Sequence, residues 1–409
     1  MYTRNIYLNK IKKFIDKPVI KIITGMRRVG KSCFLKLIMD ELRQKGVTDD
    51  QIIYLHFDSL EFDNLKNHTA LNDYILKKSD EIINSKIYLF IDEIQEVTDW
   101  EKCIESLFAS ERFDIYISGS NAQMLSSELA TKLSGRYIEF PIYTLGFSEY
   151  MQFMQKDLSQ AHAEFKSYLI YGGFPALIHF DLDREVVYQY ISSIYNTILL
   201  KDVVKRNNVR NISLLENITN YAFDNIGNIF SAKRLADYLK SQKISLGVET
   251  VQNYLAYICS TYALHKVKRY DIKGKRYLEV HEKYYLGDIG LRNAVIGYRE
   301  ADIAGVLENI VYLELLRRGY TVSIGKLGDA EIDFIATKSE EKIYIQVTYL
   351  LASEKTIKRE FSPLLKISDN YPKYVLSMDE IFGNDYEGIK RVNIVDFLLN
   401  NANKHSRSR

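Results

Sequence analysis

Residues 19–34 read VIKIITGMRRVGKSCF. A β-branched apolar run, Val19 to Thr24, leads directly into glycine, two arginines, a second glycine, lysine and serine. Such a run suits a strand buried within a parallel sheet, and Gly25 to Ser32 fits G-x-x-x-x-G-K-[ST] without a mismatch. Phe34, Leu35, Ile38, Met39 and Leu42 follow at helical spacing. Strand, glycine loop and helix in that order form a cup of backbone N–H groups at a helix N-terminus, which suits phosphate oxygens. Gly25 and Gly30 permit dihedrals and a close approach that a Cβ would block. The expected nucleotide-binding segment is therefore Gly25, Met26, Arg27, Arg28, Val29, Gly30, Lys31, Ser32 and Cys33. In it Lys31 reaches the β- and γ-phosphates of ATP, and the Ser32 hydroxyl binds Mg²⁺.

A second stretch, KIYLFIDE, repeats the buried-strand signal over Ile87 to Ile91 and ends in Asp92 and Glu93. Two carboxylates at the C-terminal edge of a sheet, beside a phosphate loop, divide the work of hydrolysis. Asp92 would complete the Mg²⁺ shell with Ser32, and Glu93 would orient or deprotonate the attacking water. A further strand, Asp114 to Ser118, runs into Gly119, Ser120 and Asn121. Asn121 has two readings, a catalytic amide near the γ-phosphate and a turn residue capping the next helix.

GMRRVGKS, LFIDEIQ, ISGSNAQML and LSGRYIEFPIYTLGFSEY together resemble the AAA-type ATPases of bacteria and archaea that carry an uncharacterised C-terminal domain. The likeness spans essentially the whole chain. It implies an α/β fold with a P-loop NTPase parallel sheet core. It also implies that Arg136 approaches the γ-phosphate from the same or a neighbouring subunit, where a planar guanidinium suits developing phosphoryl charge. A surface arginine introducing the strand Tyr137 to Pro141 is the plain alternative.

The chain of 409 residues is long enough for several cores, with 46% apolar and 26% charged residues and only five prolines. Four regions are expected: an ATPase core over 1–150, a helical lid over 151–210, a winged helix-turn-helix over 211–295 and a restriction-endonuclease-like domain over 296–409. Only the end, NNANKHSRSR, reads as a disordered tail. No apolar run approaches the roughly 20 residues a membrane span needs, so a soluble, cytoplasmic chain without a membrane partner is expected. Cys33, Cys103 and Cys259 lack metal-ligand spacing and read as buried small apolar groups. The net charge of +2 points to no partner by itself.

Local clusters say more. Helical patterns around Leu214 to Ala222, Leu235 to Leu239 and Val248 to Ile258 precede two strands, Ala263 to Tyr270 and Lys275 to Val280. That order reads as a winged helix with Ser231 as an N-cap. Lys266, Lys268, Arg269, Lys273, Lys275 and Arg276 give its wing six basic residues within eleven positions, suited to DNA phosphates, although such hairpins also dock proteins. Farther on, the helix IAGVLENIVYLELLRRG and the strands TVSI, EIDFIAT and KIYIQVTYL resemble the restriction-endonuclease-like fold. That resemblance implies a metal centre at Glu308, Asp333 and position 346. Position 346 holds Gln and the lysine's place holds Thr348, so the centre reads as degenerate, with Lys342 and Lys355 as candidate replacement cations. The plain alternative for Glu308 is a carboxylate on a solvated helix face. A second copy of the chain is a further candidate partner, since Arg136 can act between subunits only if they meet.

Overall fold

The computed structural model describes residues 2–82, 85–122, 133, 135–244, 246–380 and 385–399. The segment 400–409, read as a disordered tail, lies outside the described residues. The chain divides into two compact units, Met1–Tyr143 with Ser260–Tyr262, and Thr144–Cys259 with Ala263–Arg409.

The first unit is built on the expected parallel sheet. Its strands are β1 (Ile20–Thr24), β2 (Ile52–His56), β3 (Ile87–Asp92), β4 (Phe113–Gly119) and β5 (Tyr137–Pro141), in the order β2-β3-β4-β1-β5. Ile20, Ile22, Leu89, Ile91, Ile115 and Ile117 pack with Leu71 and Ile75 of the helix His68–Ser79 and with Trp100, Ile104 and Leu107 of the helix Trp100–Ala109. Phe34, Leu35, Ile38, Met39 and Leu42 are the buried stripe of the helix Lys31–Gln44. Only Cys103 among the cysteines is buried; Cys33 is exposed, because its place on this helix lies off that apolar stripe.

The apolar run of β1 contains one charge that the pattern hides. Lys21 is fully buried and pairs with Asp114 of the neighbouring β4. Asp114 Oδ2 also accepts the Tyr116 hydroxyl at 2.8 Å and the Asp16 N–H at 3.0 Å. Burial pulls the Lys21 ammonium below its ordinary range, and Asp114 opposes that pull.

The second unit joins what the sequence suggests are separate parts. Helices Phe147–Phe153, Ala161–Tyr171 and Arg184–Thr197 come first, then Ile212–Asp224, Ala232–Ser241 and Val248–Ser260. The hairpin β6 (Leu264–Asp271) and β7 (Arg276–Leu286) follows. Next come β8 (Thr321–Leu327), β9 (Ala330–Lys338), β10 (Glu341–Val347), β11 (Lys373–Ser377), β12 (Asp385–Tyr386) and β13 (Ile389–Asn393). All eight strands form one mixed sheet in the order β12-β13-β11-β10-β9-β8-β6-β7. The expected divisions at 210 and 295 fall inside this unit, since β6 pairs in parallel with β8 from Arg269 opposite Ile324 to Asp271 opposite Lys326.

The region read as a lid over 151–210 also belongs to the second unit. Asp288 ties it there by accepting the Gly173 N–H at 2.9 Å and the Gly290 N–H at 2.7 Å, while Asn293 Nδ2 donates to the carbonyls of Leu169 and Ile170 at 2.9 Å. Burial pushes the Asp288 carboxyl up to about 6, against the pull of these donors. Among the described residues no helix is long and apolar enough to cross a membrane.

Removing Asp114 leaves the Lys21 ammonium buried and unneutralised. Asp114→Ala is expected to destabilise the first unit by about 3–5 kcal/mol, and adding Lys21→Met to recover most of that loss. Urea unfolding midpoints of the two variants check this.

Candidate nucleotide-binding site

β1 ends at Thr24 and the chain turns at Gly25, where φ is +143° and an added Cβ would stand 2.2 Å from the carbonyl oxygen of Ile142. Gly30, with φ +96°, immediately precedes the helix Lys31–Gln44. Between the two glycines Met26 and Val29 are buried, Arg27 is half-buried, and Arg28 is exposed with φ +65°. Arg4 holds this loop from the N-terminal side. Its guanidinium donates to the carbonyls of Val29 at 3.1 Å and Tyr143 at 2.8 Å, and lies 4.6 Å from the Tyr7 ring centroid.

Lys31 is buried, and its Nζ donates to the carbonyls of Gly25 at 3.1 Å and Met26 at 3.3 Å. The same nitrogen lies 3.4 Å from Glu93 Oε1. Glu93 follows β3 with φ +56° and is buried; its carboxylate accepts from Gln95 Nε2 and, at 3.1 Å, from Ser120 Oγ. Burial pushes this carboxyl up, but Lys31, Gln95, Arg27 and Ser120 outweigh burial and bring it down to about 2. Glu93 is therefore ionised at neutral pH.

Asp92, the last residue of β3, is fully buried. It accepts from Ser118 Oγ and, at 3.1 Å, from the Tyr54 hydroxyl, with His56 Nε2 3.8 Å away. Burial and the adjacent Asp92 push the Tyr54 hydroxyl well up, which keeps it protonated as a donor. Ser118 Oγ also accepts the Glu93 N–H at 3.2 Å, so one hydroxyl orients both acids. Ser32 is half-buried in the first turn of its helix, and Cys33 beside it is exposed. A hydroxyl and a carboxylate are hard oxygen donors of the kind Mg²⁺ takes from a protein, with water and phosphate supplying the rest.

The structure thus brings Lys31, Asp92 and Glu93 to one edge of the sheet with Gln95 and Ser118, and adds Arg4, Tyr54 and His56, which no motif marks. Asn121 is buried just beyond β4, next to Ser120. Arg136 is not with them. It precedes β5 at the strand's N-terminal end, where its carbonyl accepts the Ile20 N–H and its guanidinium sits 3.6 Å from Glu105. β5 runs parallel to β1, so the five residues of β1 separate Arg136 from the loop by roughly 16 Å.

Residues 17–151 match the family model described as AAA domain, and residues 162–302 match a domain of unknown function, DUF8612. An uncharacterized protein of Haemophilus influenzae is 38% identical over 98% of this chain and 99% of its own length. The uncharacterized protein MJ1544 of Methanocaldococcus jannaschii is 31% identical over 96% of this chain and 90% of its own. Among solved structures, that of the Aeropyrum pernix ORC1 protein in complex with DNA is similar with a TM-score of 0.32 and 11% identity, over 72% of this chain and 92% of that one.

Gly25→Ala is expected to displace the loop from Ile142 and reduce nucleotide affinity at least tenfold while the sheet stays folded. Titration of a fluorescent ATP analogue, alongside circular dichroism, checks this.

Proposed function

Because the chain belongs to one family with these Haemophilus and Methanocaldococcus proteins and carries an AAA domain over residues 17–151, we propose that it hydrolyses ATP with Mg²⁺ and that the nucleotide state gates a DNA- or protein-binding C-terminal half. The observation that carries this reading is Lys31 Nζ held 3.4 Å from an ionised Glu93 at the mouth of a two-glycine loop. In it the loop N–H groups and Lys31 bind the phosphate tail, Ser32 and Asp92 hold the Mg²⁺, and Glu93 takes the proton of the attacking water. Mg²⁺ supplies charge neutralisation on the phosphate oxygens. Asn121 and Arg136 complete the catalytic set, with Arg136 serving the loop of a second copy of the chain, since its own loop lies at the opposite end of the strand.

The hairpin supports a DNA partner. Lys266 pairs with Glu282 at 2.7 Å and Arg269 faces Glu331 at 3.9 Å, whereas Lys268, Lys273, Lys275 and Arg276 are exposed toward and around the hairpin tip. Exposed cations at a tip suit phosphate contacts, and Tyr277, 56% exposed beside them, offers a stacking face. The alternative is a nucleotide-gated protein-docking switch with little hydrolysis.

Lys31→Ala is expected to abolish ATP binding. Glu93→Gln is expected to keep binding but lower phosphate release by about 10²–10⁴-fold. Wild-type release at background, with and without DNA, would instead support the switch. Neutralising the four exposed tip cations is expected to weaken DNA binding and to flatten its salt dependence, by about one in slope for each phosphate no longer neutralised. An unchanged slope in a filter-binding series removes the hairpin from the interface.

A further inference from the structure

The second unit holds a charge cluster that the nucleotide site does not use. Glu308, on the helix Ile303–Arg317, is buried rather than on a solvated face, and its Oε1 accepts from Lys283 Nζ at 2.9 Å and from the Tyr285 hydroxyl. Lys283 Nζ also lies 2.8 Å from Glu331 Oε1, and only 3% of its side chain is exposed. Glu331 and Asp333 lie two residues apart on β9, and both carboxylates act on the Lys283 ammonium along with Glu308. A helix carboxylate and two strand carboxylates thereby converge on an ammonium carried by β7. Burial pushes the Glu308 carboxyl up, and Lys283 is the main charge opposing that push.

The remaining positions are already satisfied without a metal. Asp333 Oδ2 accepts the Val347 N–H at 2.8 Å, and the Asp333 N–H donates to Gln346 Oε1 at 2.7 Å. The other end of the Gln346 amide donates to Glu360 Oε2 at 3.1 Å. The neutral amide thus bridges the Asp333 backbone and the Glu360 carboxylate, where a glutamate at 346 would set its own charge against Glu360. Neither lysine considered from the sequence arrives: Lys342 pairs with Asp369 at 3.2 Å, and Lys355 is exposed.

We propose that the Lys283 ammonium takes the place of a divalent cation in this carboxylate set, a covalently attached cation that balances Glu308 and Glu331 and keeps a metal ion out. An ammonium has hydrogen-bond donors for both glutamates and cannot dissociate. A metal ion binding the same oxygens would stand beside it, like charge against like charge with little water between them. The carboxylates then take their counter-charge from the hairpin, and among the described residues no group of acidic, histidine or cysteine side chains is arranged to hold a metal ion.

The test titrates Mn²⁺ into the full chain without nucleotide and follows free Mn²⁺ by electron paramagnetic resonance. Wild type and Asp333→Asn are expected to give the same uptake. Folded Lys283→Met is expected to take up Mn²⁺ at least tenfold more strongly, and Lys283→Met with Asp333→Asn to lose that gain. Uptake by wild type that Asp333→Asn removes would overturn the proposal, as would a folded Lys283→Met chain that gains none. If Lys283→Met does not fold, the comparison of wild type with Asp333→Asn decides alone.

Discussion

Two carboxylates at consecutive positions, Asp92 and Glu93, both inside the protein, form the constraint around which the first unit is arranged. Each buried charge carries a desolvation penalty of several kcal/mol unless donors surround it. A single strand cannot supply those donors. β3 lies between β2 and β4, so Tyr54 arrives from one side and Ser118 and Ser120 from the other. β1 stands beyond β4 and delivers the glycine loop, and with it Lys31, to Glu93. The strand order is thus also an order of charge compensation. The ammonium at the end of that series is held by Glu93 on one side and by the loop carbonyls of Gly25 and Met26 on the other.

Buried lysines recur with different chemistry. Lys21 pairs with Asp114 near the start of β1, away from the glycine loop, and joins adjacent strands. Lys283 lies among Glu308 and Glu331 in the second sheet, where Tyr285 and a backbone-bound Asp333 close the set. The same side chain pairs with a carboxylate of a neighbouring strand, with the acid that follows β3, or with two glutamates at once, according to what surrounds it. Position in the fold, rather than residue type, separates these roles.

The glycine loop, its helix and the acidic pair after β3 are legible in the sequence because each is written in contiguous residues with a fixed spacing. Arg4, Tyr54 and Lys283 are not, because they reach their partners from 25 to 139 positions away, where no spacing rule applies. Lys21 is hidden by the apolar residues around it. Arg136 requires the register of β5 against β1, which decides which edge of the sheet the residue occupies. Glu308 reads as solvated because carboxylates on helices usually are. The helix Ile303–Arg317, however, is buried almost all round, from Val306 through Leu315, so its polar residues have to find internal partners. The hairpin is legible as a hairpin, but its ladder with β8 pairs residues more than fifty positions apart.

That ladder changes what the hairpin can transmit. A wing held only by its own turn bends when its tip is pulled, and the strain dissipates in the loop. Here β6 is hydrogen-bonded along Arg269 to Asp271 to an interior sheet, while β7 is pinned at Lys283 to the helix behind it. The hairpin is therefore continuous with the eight-stranded sheet: a load placed on Lys273 to Arg276 would pass through β6 into β8 and β9, and strand displacement there would have to be shared by the whole sheet.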